Sequence, residues 1–353
     1  MARKRLALAL AALWLAAGVL LTSWGASRQP AGDRDAKLAA ARLMQTWMDA
    51  VKEYKLQSGL EISAGDLHQT GMIGEAYTLI TTTHGALEAK RTTADPDMAA
   101  LLVQMLTEAG VRSGDTVGAG FSGSFPSINL AVLAACQVMG IRCVYIASVG
   151  ASTYGANQPE LTFPDMVLRL HEDGLLDTPP ALITPGGADD CGLDMDPEVR
   201  EEVLARVGSR GVPVMREPDF NQNIENRMAL YRRQGPIRCF IGVGGNLTTA
   251  GKTDTPLYGL IPAGRIRAAD QDSGLVQRYN TQGIPVIHLL NIKKLTADYG
   301  LAYDPETPPP LGRSAVYYET RYPLWPAVLC GLGALGTLLA GFQRPRRPKT
   351  GRE

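Results

Sequence analysis

Between residues 115 and 290 the chain alternates short apolar runs, rich in β-branched residues, with longer runs of helix-favouring residues. Such alternation predicts a parallel β-sheet covered by helices on both faces. The fold class is therefore α/β, with a Rossmann-like arrangement in which ligands bind at the carboxyl ends of the strands. We predict strands at 116–119, 142–147, 181–184, 212–215, 237–243 and 285–290, and helices at 97–108, 129–139, 163–172, 197–209 and 221–234.

Two of these strands end in turns rich in glycine and serine. One turn lies in GAGFSGS at 118–124 and leads into the helix at 129, and the other lies in GVGGN at 242–246. Glycine permits backbone angles and close approaches that a Cβ would prevent, and the free N–H groups at a helix start attract anions. We therefore predict that the turns bind a ligand through Gly120, Ser122, Gly123, Ser124, Gly244, Gly245 and Asn246.

Four further polar residues are candidates for the same ligand site, namely Lys90, Arg91, Tyr154 and Asn157. Lys90 and Arg91 stand shortly before the predicted helix at 97–108, whose start is marked by Asp95 and a proline. Cations near a helix start oppose the helix dipole, which strengthens the case for a functional role over that of a solvated pair. Together these groups would hold carboxylates without breaking a bond.

The first turn also fits two catalytic patterns in part. Read as a nucleophile elbow, GFSGS makes Ser122 a nucleophile, although Ser124 replaces the usual second glycine. His84 and His288, both at predicted strand ends, are then the candidate bases, with Asp189, Asp190 or Asp254 to orient them. Read as a dinucleotide fingerprint, GAGFSG lacks the acidic residue expected after the next strand, so no cofactor is predicted. A third interpretation is that the turn only caps a helix.

Composition removes other classes of function. Lys and Arg total 35 and Asp and Glu total 35, with no basic face, which argues against a nucleic-acid partner. The aspartates at 189, 190, 194 and 196 lack the spacing of a calcium loop, and Asp196 is better explained as a helix cap, so no metal is predicted. The five cysteines contain no CxxC pair; free buried thiols are expected, with a disulfide as the alternative.

Two uncharged segments, at 6–24 and 324–342, are each long enough to cross a membrane. Basic residues precede the first, in Arg3, Lys4 and Arg5, and follow the second between 344 and 352. The positive-inside rule then predicts two spans with both termini cytoplasmic and the main domain outside the cytoplasm. A cleaved signal peptide is the alternative for the first segment, and a buried helix for the second.

The domain organisation follows from these features. Residues 1–27 form an N-terminal anchor or signal peptide, and 28–110 a helical stalk with the start of the domain. The stalk includes an amphipathic helix at 37–57, which could also pack on the domain, and a β-branched stretch at 77–84, which is a strand or the lead into a loop. The α/β domain occupies 111–304, a proline-rich linker 305–323, the second membrane helix 324–343 and a basic cytoplasmic tail 344–353.

Four blocks of sequence resemble the poly-gamma-glutamate system protein family: TTTHGALEAKRTTADPDMAALL at 81–102, GFSGSFPSINLAVLAA at 120–135, ASVGASTYGANQPELTFPDM at 147–166 and GVGGNLTTAG at 242–251. The resemblance covers most of the chain. It implies a membrane-anchored accessory component of the bacterial synthesis or export of poly-gamma-glutamate. This polymer forms a capsule or extracellular material outside the plasma membrane.

The resemblance also implies partners, namely the polymer or the membrane proteins that make and export it. It supplies no catalytic residue and no cofactor. Two functions therefore stay open: an accessory protein whose extracytoplasmic domain binds the polymer, and a serine-dependent amide hydrolase or transferase that acts on it, with Ser122 as nucleophile.

Overall fold

The computed structural model describes residues 2–252 and 257–343. The chain divides into two compact units: a terminal unit drawn from residues 1–31 and 318–353, and a central unit of residues 32–317. Asp254, one of the candidate orienting residues, and the basic tail at 344–353 lie outside the described residues.

The described residues form eight strands and twelve helices. The strands are β1 (Ser27–Pro30), β2 (Thr116–Phe121), β3 (Arg142–Ser148), β4 (Leu182–Thr184), β5 (Ile237–Val243), β6 (Gly259–Ile261), β7 (Val286–Leu289) and β8 (Tyr318–Arg321). The helices are α1 (Ala2–Trp24), α2 (Arg34–Gln57), α3 (Leu87–Thr93), α4 (Asp97–Glu108), α5 (Pro126–Met139), α6 (Phe163–Glu172), α7 (Pro197–Gly208), α8 (Phe220–Arg233), α9 (Leu247–Ala250), α10 (Leu275–Thr281), α11 (Ile292–Tyr299) and α12 (Trp325–Phe342).

The terminal unit consists of α1 and α12 with a two-stranded antiparallel sheet of β1 and β8. Both helices are long and apolar enough to cross a membrane, as the two uncharged segments predict. They pack through small residues: a Cβ added at Gly18 would lie 2.9 Å from Cys330 Cβ. Arg3 donates a hydrogen bond to the Ala340 carbonyl at 3.0 Å, so the start of α1 lies beside the end of α12.

The central unit contains a six-stranded sheet in the order β4-β3-β2-β5-β7-β6. All neighbouring pairs are parallel except β6 with β7, which confirms a mixed α/β fold with a mostly parallel sheet. From β2 the chain moves outward to β3 and β4, and it then returns to place β5 on the other side of β2. The direction of progression therefore reverses between β2 and β5.

Helices cover the sheet and close its core. On one side α2, α4 and α5 pack together, and Trp47 of α2 is fully buried with its indole N–H bonded to the Leu175 carbonyl at 3.1 Å. The amphipathic helix thus packs into the central unit instead of standing as a stalk. Elsewhere a ring cluster joins α8, β5 and α10, with the Phe240 and Tyr279 rings stacked at 4.9 Å.

Local signals explain the helix boundaries that the sequence predicts best. Helix α6 begins after Thr162, where the Asp165 carboxylate accepts from the Thr162 backbone N–H at 2.9 Å in a capping box. Helix α7 begins after Asp196, whose side chain accepts from two N–H groups at 3.0 Å, which confirms its expected role as a cap. All five cysteines are buried free thiols.

The strand predicted at 212–215 is wrong, and of the two alternatives for 77–84, a strand or the lead into a loop, the structure has the loop. The β-branched stretch 77–84 contributes only one bridge, between Thr81 and Ala151, and 212–215 only one, between Ile183 and Val214. In the stretch 77–84 a side-chain hydroxyl bonds the backbone in place of a neighbouring strand: the Thr78 N–H donates to Thr81 Oγ1 at 2.8 Å. Threonine can satisfy the backbone locally in this way, which competes with a regular ladder.

Candidate functional site

The two glycine-containing turns lie side by side at the carboxyl edge of the sheet. Strands β2 and β5 are neighbours, and the turns that follow them bring a Cβ position at Gly244 to 3.6 Å from Ser122 Cβ. This is the place where strand progression reverses. In open parallel sheets such a reversal leaves a crevice at the carboxyl ends of the strands.

Serine hydroxyl groups hold the first turn in shape. Ser122 Oγ accepts from the Ser124 N–H at 3.2 Å, and Ser148 Oγ, at the end of β3, accepts from the Gly123 N–H at 3.4 Å. Ser124 Oγ in turn accepts from the Ser152 N–H at 2.9 Å. The segment that follows β3 is thereby fixed to the turn that follows β2.

Lys90 reaches this junction from α3. Its Nζ donates to the Ser124 carbonyl, lies 2.8 Å from Ser152 Oγ and sits 3.5 Å from the centroid of the Phe125 ring. The residue is only 2% exposed. Within the described residues no carboxylate lies at ion-pair distance from Nζ, and burial alone lowers the pKa of Lys90 to about 7.

Arg91 points elsewhere although it is the next residue. It forms a two-pronged ion pair with Asp304, with Nε to Oδ1 and Nη2 to Oδ2 both at 2.6 Å, so its guanidinium is already occupied. Both cations lie in the last turn of α3, where they favour the helix dipole. The unfavourable position before α4 that drew attention to them is therefore absent.

Neither candidate histidine contacts Ser122. His288 is fully buried, and its Nδ1 and Nε2 face the carbonyls of Leu257 at 3.0 Å and Gly244 at 3.1 Å. Burial lowers the pKa of His288. His84 is exposed in the segment before α3. The structure thus places His288 beneath the second turn and leaves Ser122 bonded to its own turn.

Several other candidate residues serve the framework. Asn157 is fully buried, and its amide bonds both the N–H and the carbonyl of Glu75, at 2.9 and 2.8 Å. Tyr154 adopts a φ of 62° and its N–H donates to the Glu75 carbonyl at 2.8 Å. Gly120 lies inside β2, where a Cβ would meet Thr249 Oγ1 at 3.2 Å. Asn246 caps α9 by accepting from the Thr249 N–H at 2.9 Å.

Three of the four aspartates at 189–196 have structural roles, and the fourth, Asp189, is exposed with a φ of 52°. Asp190 is buried and pairs with Arg227 at 2.5 Å, while Asn223 donates to the same carboxylate at 3.0 Å. Asp194 accepts from the Ala188 N–H at 3.0 Å. The described residues contain no group of three or more His, Cys, Asp or Glu side chains that could hold a metal ion.

Sequence reasoning missed Ser152, the residue that contacts Lys90. It stands in the hydroxyl-rich stretch ASTYGANQ, which gives a signal for polar loops but none for a lysine 62 residues away. Two buried polar atoms nearby were also missed: Thr249 Oγ1 and Asn129 Oδ1 have no hydrogen-bond partner within the described chain. Buried atoms of this kind commonly mark a place that binds a ligand or water.

Gly123 provides a test of how tightly the turns pack. A Cβ there would lie 2.8 Å from the Gly150 carbonyl oxygen, whereas a Cβ at Gly245 would be 3.7 Å from its nearest neighbour, a Leu290 methyl group. We expect Gly123→Ala to reduce the free energy of unfolding by about 1–3 kcal/mol, because backbone atoms must move. Gly245→Ala, the control, should change it by less than about 0.5 kcal/mol in urea unfolding. Equal effects would contradict the close packing.

Comparison with known proteins adds no relative: no protein-family model matches the chain, and no curated protein or solved structure is similar to it. The function must therefore be argued from the site itself.

Proposed function

We propose that the central unit is a serine-dependent amide hydrolase or transferase, with Lys90 as general base and Ser152 as nucleophile. The observation that carries the proposal is the 2.8 Å contact between Lys90 Nζ and Ser152 Oγ. The lysine is buried without a carboxylate, and burial lowers its pKa to about 7. At a pH near or above that pKa, the neutral form of the lysine can accept a hydroxyl proton. Serine–lysine pairs are a recognised variant of the serine–histidine–aspartate arrangement.

The chemistry needs only the two side chains, the substrate and water. Neutral Lys90 takes the hydroxyl proton of Ser152 as Oγ attacks the amide carbonyl carbon and forms a C–O bond. The C–N bond then breaks, and the lysine ammonium gives its proton to the departing amine. Water, or an acceptor amine in a transferase, attacks the resulting ester, with Lys90 taking its proton and returning it to Ser152 Oγ.

The resemblance to poly-gamma-glutamate system proteins provides the substrate of the proposal. Each repeat of that polymer contains one amide bond and one free carboxylate. Helix α5 begins beside the site, its N-cap residue Phe125 makes no side-chain capping bond, and the start of a helix favours an anion. A Rossmann-like sheet with glycine-rich turns at its reversal point is consistent with a ligand in this crevice.

The setting of the proposed reaction is the outer side of a bacterial plasma membrane. We place α1 and α12 as two spans, with both termini cytoplasmic, because Arg3, Lys4 and Arg5 lie at the start of α1, before its uncharged run. The hydrogen bond between Arg3 and the Ala340 carbonyl supports this, because it brings the start of α1 and the end of α12 to the same side of the membrane. The central unit would then work outside the cytoplasm, on a polymer during its synthesis or export.

The second candidate function is an accessory component that binds the polymer without cleaving it. The burial of Ser152 favours it: the residue is 3% exposed, and a Cβ at Gly85 would lie 2.7 Å from its hydroxyl. The 83–86 segment must therefore move before a substrate can reach Ser152. If the 83–86 segment does not move, Ser152 and Lys90 only stabilise the turns that bind the polymer.

The test uses the full-length protein in lipid nanodiscs with poly-gamma-glutamate of defined length. The hydrolase proposal expects wild-type protein to shorten the polymer and Ser152→Ala to lose that activity by several orders of magnitude. Ser209→Ala is the matched control, because its hydroxyl also makes one bond, to the Arg206 carbonyl at 2.7 Å, but at an exposed helix end. Ser122→Ala should stay within about tenfold of wild type, since Ser122 contacts no base.

Binding measured by calorimetry separates the alternatives. Binding without shortening would reject the hydrolase and support the accessory function. Neither binding nor shortening by the wild-type protein would reject both.

A further inference from the structure

A cavity of about 300 Å³ lies in the central unit, and no residue of the two turns is among those that line it. Its walls come from α2, the 68–70 loop, the junction of α3 and α4, and the proline-rich segment at 305–309. Met48, Pro308 and Pro309 provide apolar walls, while Asp95 and Lys52 provide charge. A volume near 300 Å³ is at the small end of the range for ligand pockets.

Asp95 lines this cavity with a carboxylate of which only one oxygen accepts a hydrogen bond from the described chain. Its Oδ1 accepts from the Asp97 N–H at 2.9 Å, but within the described residues its Oδ2 accepts no hydrogen bond and no cation lies at ion-pair distance. Burial raises the pKa of Asp95 to about 7. A cationic group placed against Oδ2 would restore the ionised form.

Four other charged or titratable groups line the cavity, and they differ in their partners. Arg91 is paired with Asp304, His68 Nε2 lies 3.1 Å from the Pro305 carbonyl, and Asp49 accepts from Gln45 at 2.9 Å. Lys52 makes no ion pair within the described chain. Asp49, Asp95 and Lys52 therefore have no charged partner within the described residues; Asp49 is exposed and already accepts from Gln45, which leaves Asp95 and Lys52 as the pair of charges beside the apolar walls.

We propose that this cavity binds a small zwitterion of the amino-acid class, with its ammonium on Asp95 and its carboxylate on Lys52. The pairing satisfies both wall charges at once, and the ligand's carbon chain packs against Met48 and the prolines. A simple amine or a simple carboxylate would satisfy only one charge. The site uses neither Lys90 nor Ser152, so amino-acid binding here does not depend on the proposed hydrolysis.

Isothermal titration calorimetry on the full-length protein tests the proposal, with L-glutamate, D-glutamate and L-alanine as probes and propylamine and propionate as half-ligands. At least one amino acid should bind more tightly than both half-ligands. Asp95→Asn and Lys52→Met should each weaken that binding tenfold or more. Asp177→Asn and Lys294→Met, on exposed residues away from the cavity, are the matched controls and should bind as wild type does.

Proton release gives a readout that a purely structural role would not change. At pH 6 ligand binding should ionise Asp95 and release a proton, seen as a dependence of the binding heat on the buffer's ionisation enthalpy. The charged and titratable groups near Asp95 include Asp49, Lys52, His68, Arg91, Asp97 and Tyr317, so Asp95→Asn is needed to assign the release. No amino-acid binding, equal binding of propylamine, or release that persists in Asp95→Asn would overturn the proposal.

Discussion

Lys90→Met is expected to lower kcat/KM for amide cleavage by about a thousandfold or more, because the proposed reaction loses its only base. Lys55→Met is the matched control. Lys55 is also 2% exposed, but its Nζ donates to the backbone carbonyls of Ile73 at 2.7 Å and Gly71 at 3.4 Å. Both variants remove a buried lysine, so both should lose stability. Only the Lys90 variant should lose activity per folded molecule.

The pH dependence of the same variant distinguishes a base from a structural cation. Wild-type kcat/KM should rise with pH through about 7, where the Lys90 amine loses its proton. In the unfolded chain the ordinary pKa is 10.5, so between these values the unfolded state binds one more proton than the folded state. The free energy of unfolding should then rise by about 1.4 kcal/mol per pH unit from this residue.

Lys90→Met should remove the pH dependence that Lys90 gives to the free energy of unfolding. Below pH 7 the buried lysine is charged, and its destabilising effect is then complete. Chemical denaturation of wild type and variant from pH 6 to 10 measures the difference. A variant that keeps both the wild-type activity and the wild-type slope would contradict the assignment of Lys90 as base.

The second large effect is expected from Arg227→Met in α8. Asp190 is 7% exposed, and removing the guanidinium at 2.5 Å would leave its carboxylate buried with only Asn223 and Thr184 as donors. Breaking a buried pair in this way costs about 3–5 kcal/mol of unfolding free energy. The loss should be visible as a lower midpoint in urea.

Arg232→Met on the same helix is the control for that experiment. Its ion pair with Glu225 is 3.8 Å long, and the two side chains are 61% and 53% exposed. Such a pair contributes less than about 1 kcal/mol. Adding Asp190→Asn to Arg227→Met should recover part of the stability, because no buried charge remains. Similar losses for the two arginine variants would show that Asp190 is not isolated from solvent as described.

The sequence predicts the regular elements well where the local signal is sufficient. Helix α4 has its predicted bounds of 97–108, and strand β5 its predicted bounds of 237–243, since an apolar face or an apolar run defines each. It does not predict β6, which has only three residues, Gly259–Ile261, and pairs antiparallel at the sheet edge. A run that short carries no periodicity.

The sequence predicts where the two turns lie but not which side chains meet there. The turns after β2 and β5 could be located from their glycines, because strand–turn–helix patterns are local. The partners of Lys90 lie 34 and 62 residues along the chain, and those of Arg91 lie 213 residues away. Only the folded chain determines that Lys90 meets a serine and Arg91 meets Asp304. The sequence therefore indicates histidines as candidate bases, whereas the base proposed from the contacts is a lysine.

The pairing of β1 with β8 has a consequence for release of the central unit by proteases. Residues 32–317 are connected at both ends to the terminal unit, and the pairing of Pro30 with Tyr318 places the two connections on neighbouring rungs of one ladder. A single cut in either connection would leave the central unit covalently attached through the other. In the proposed two-span topology, shedding of the central unit would require two cuts, which would make it more resistant to surface proteases than a unit held by a single tether.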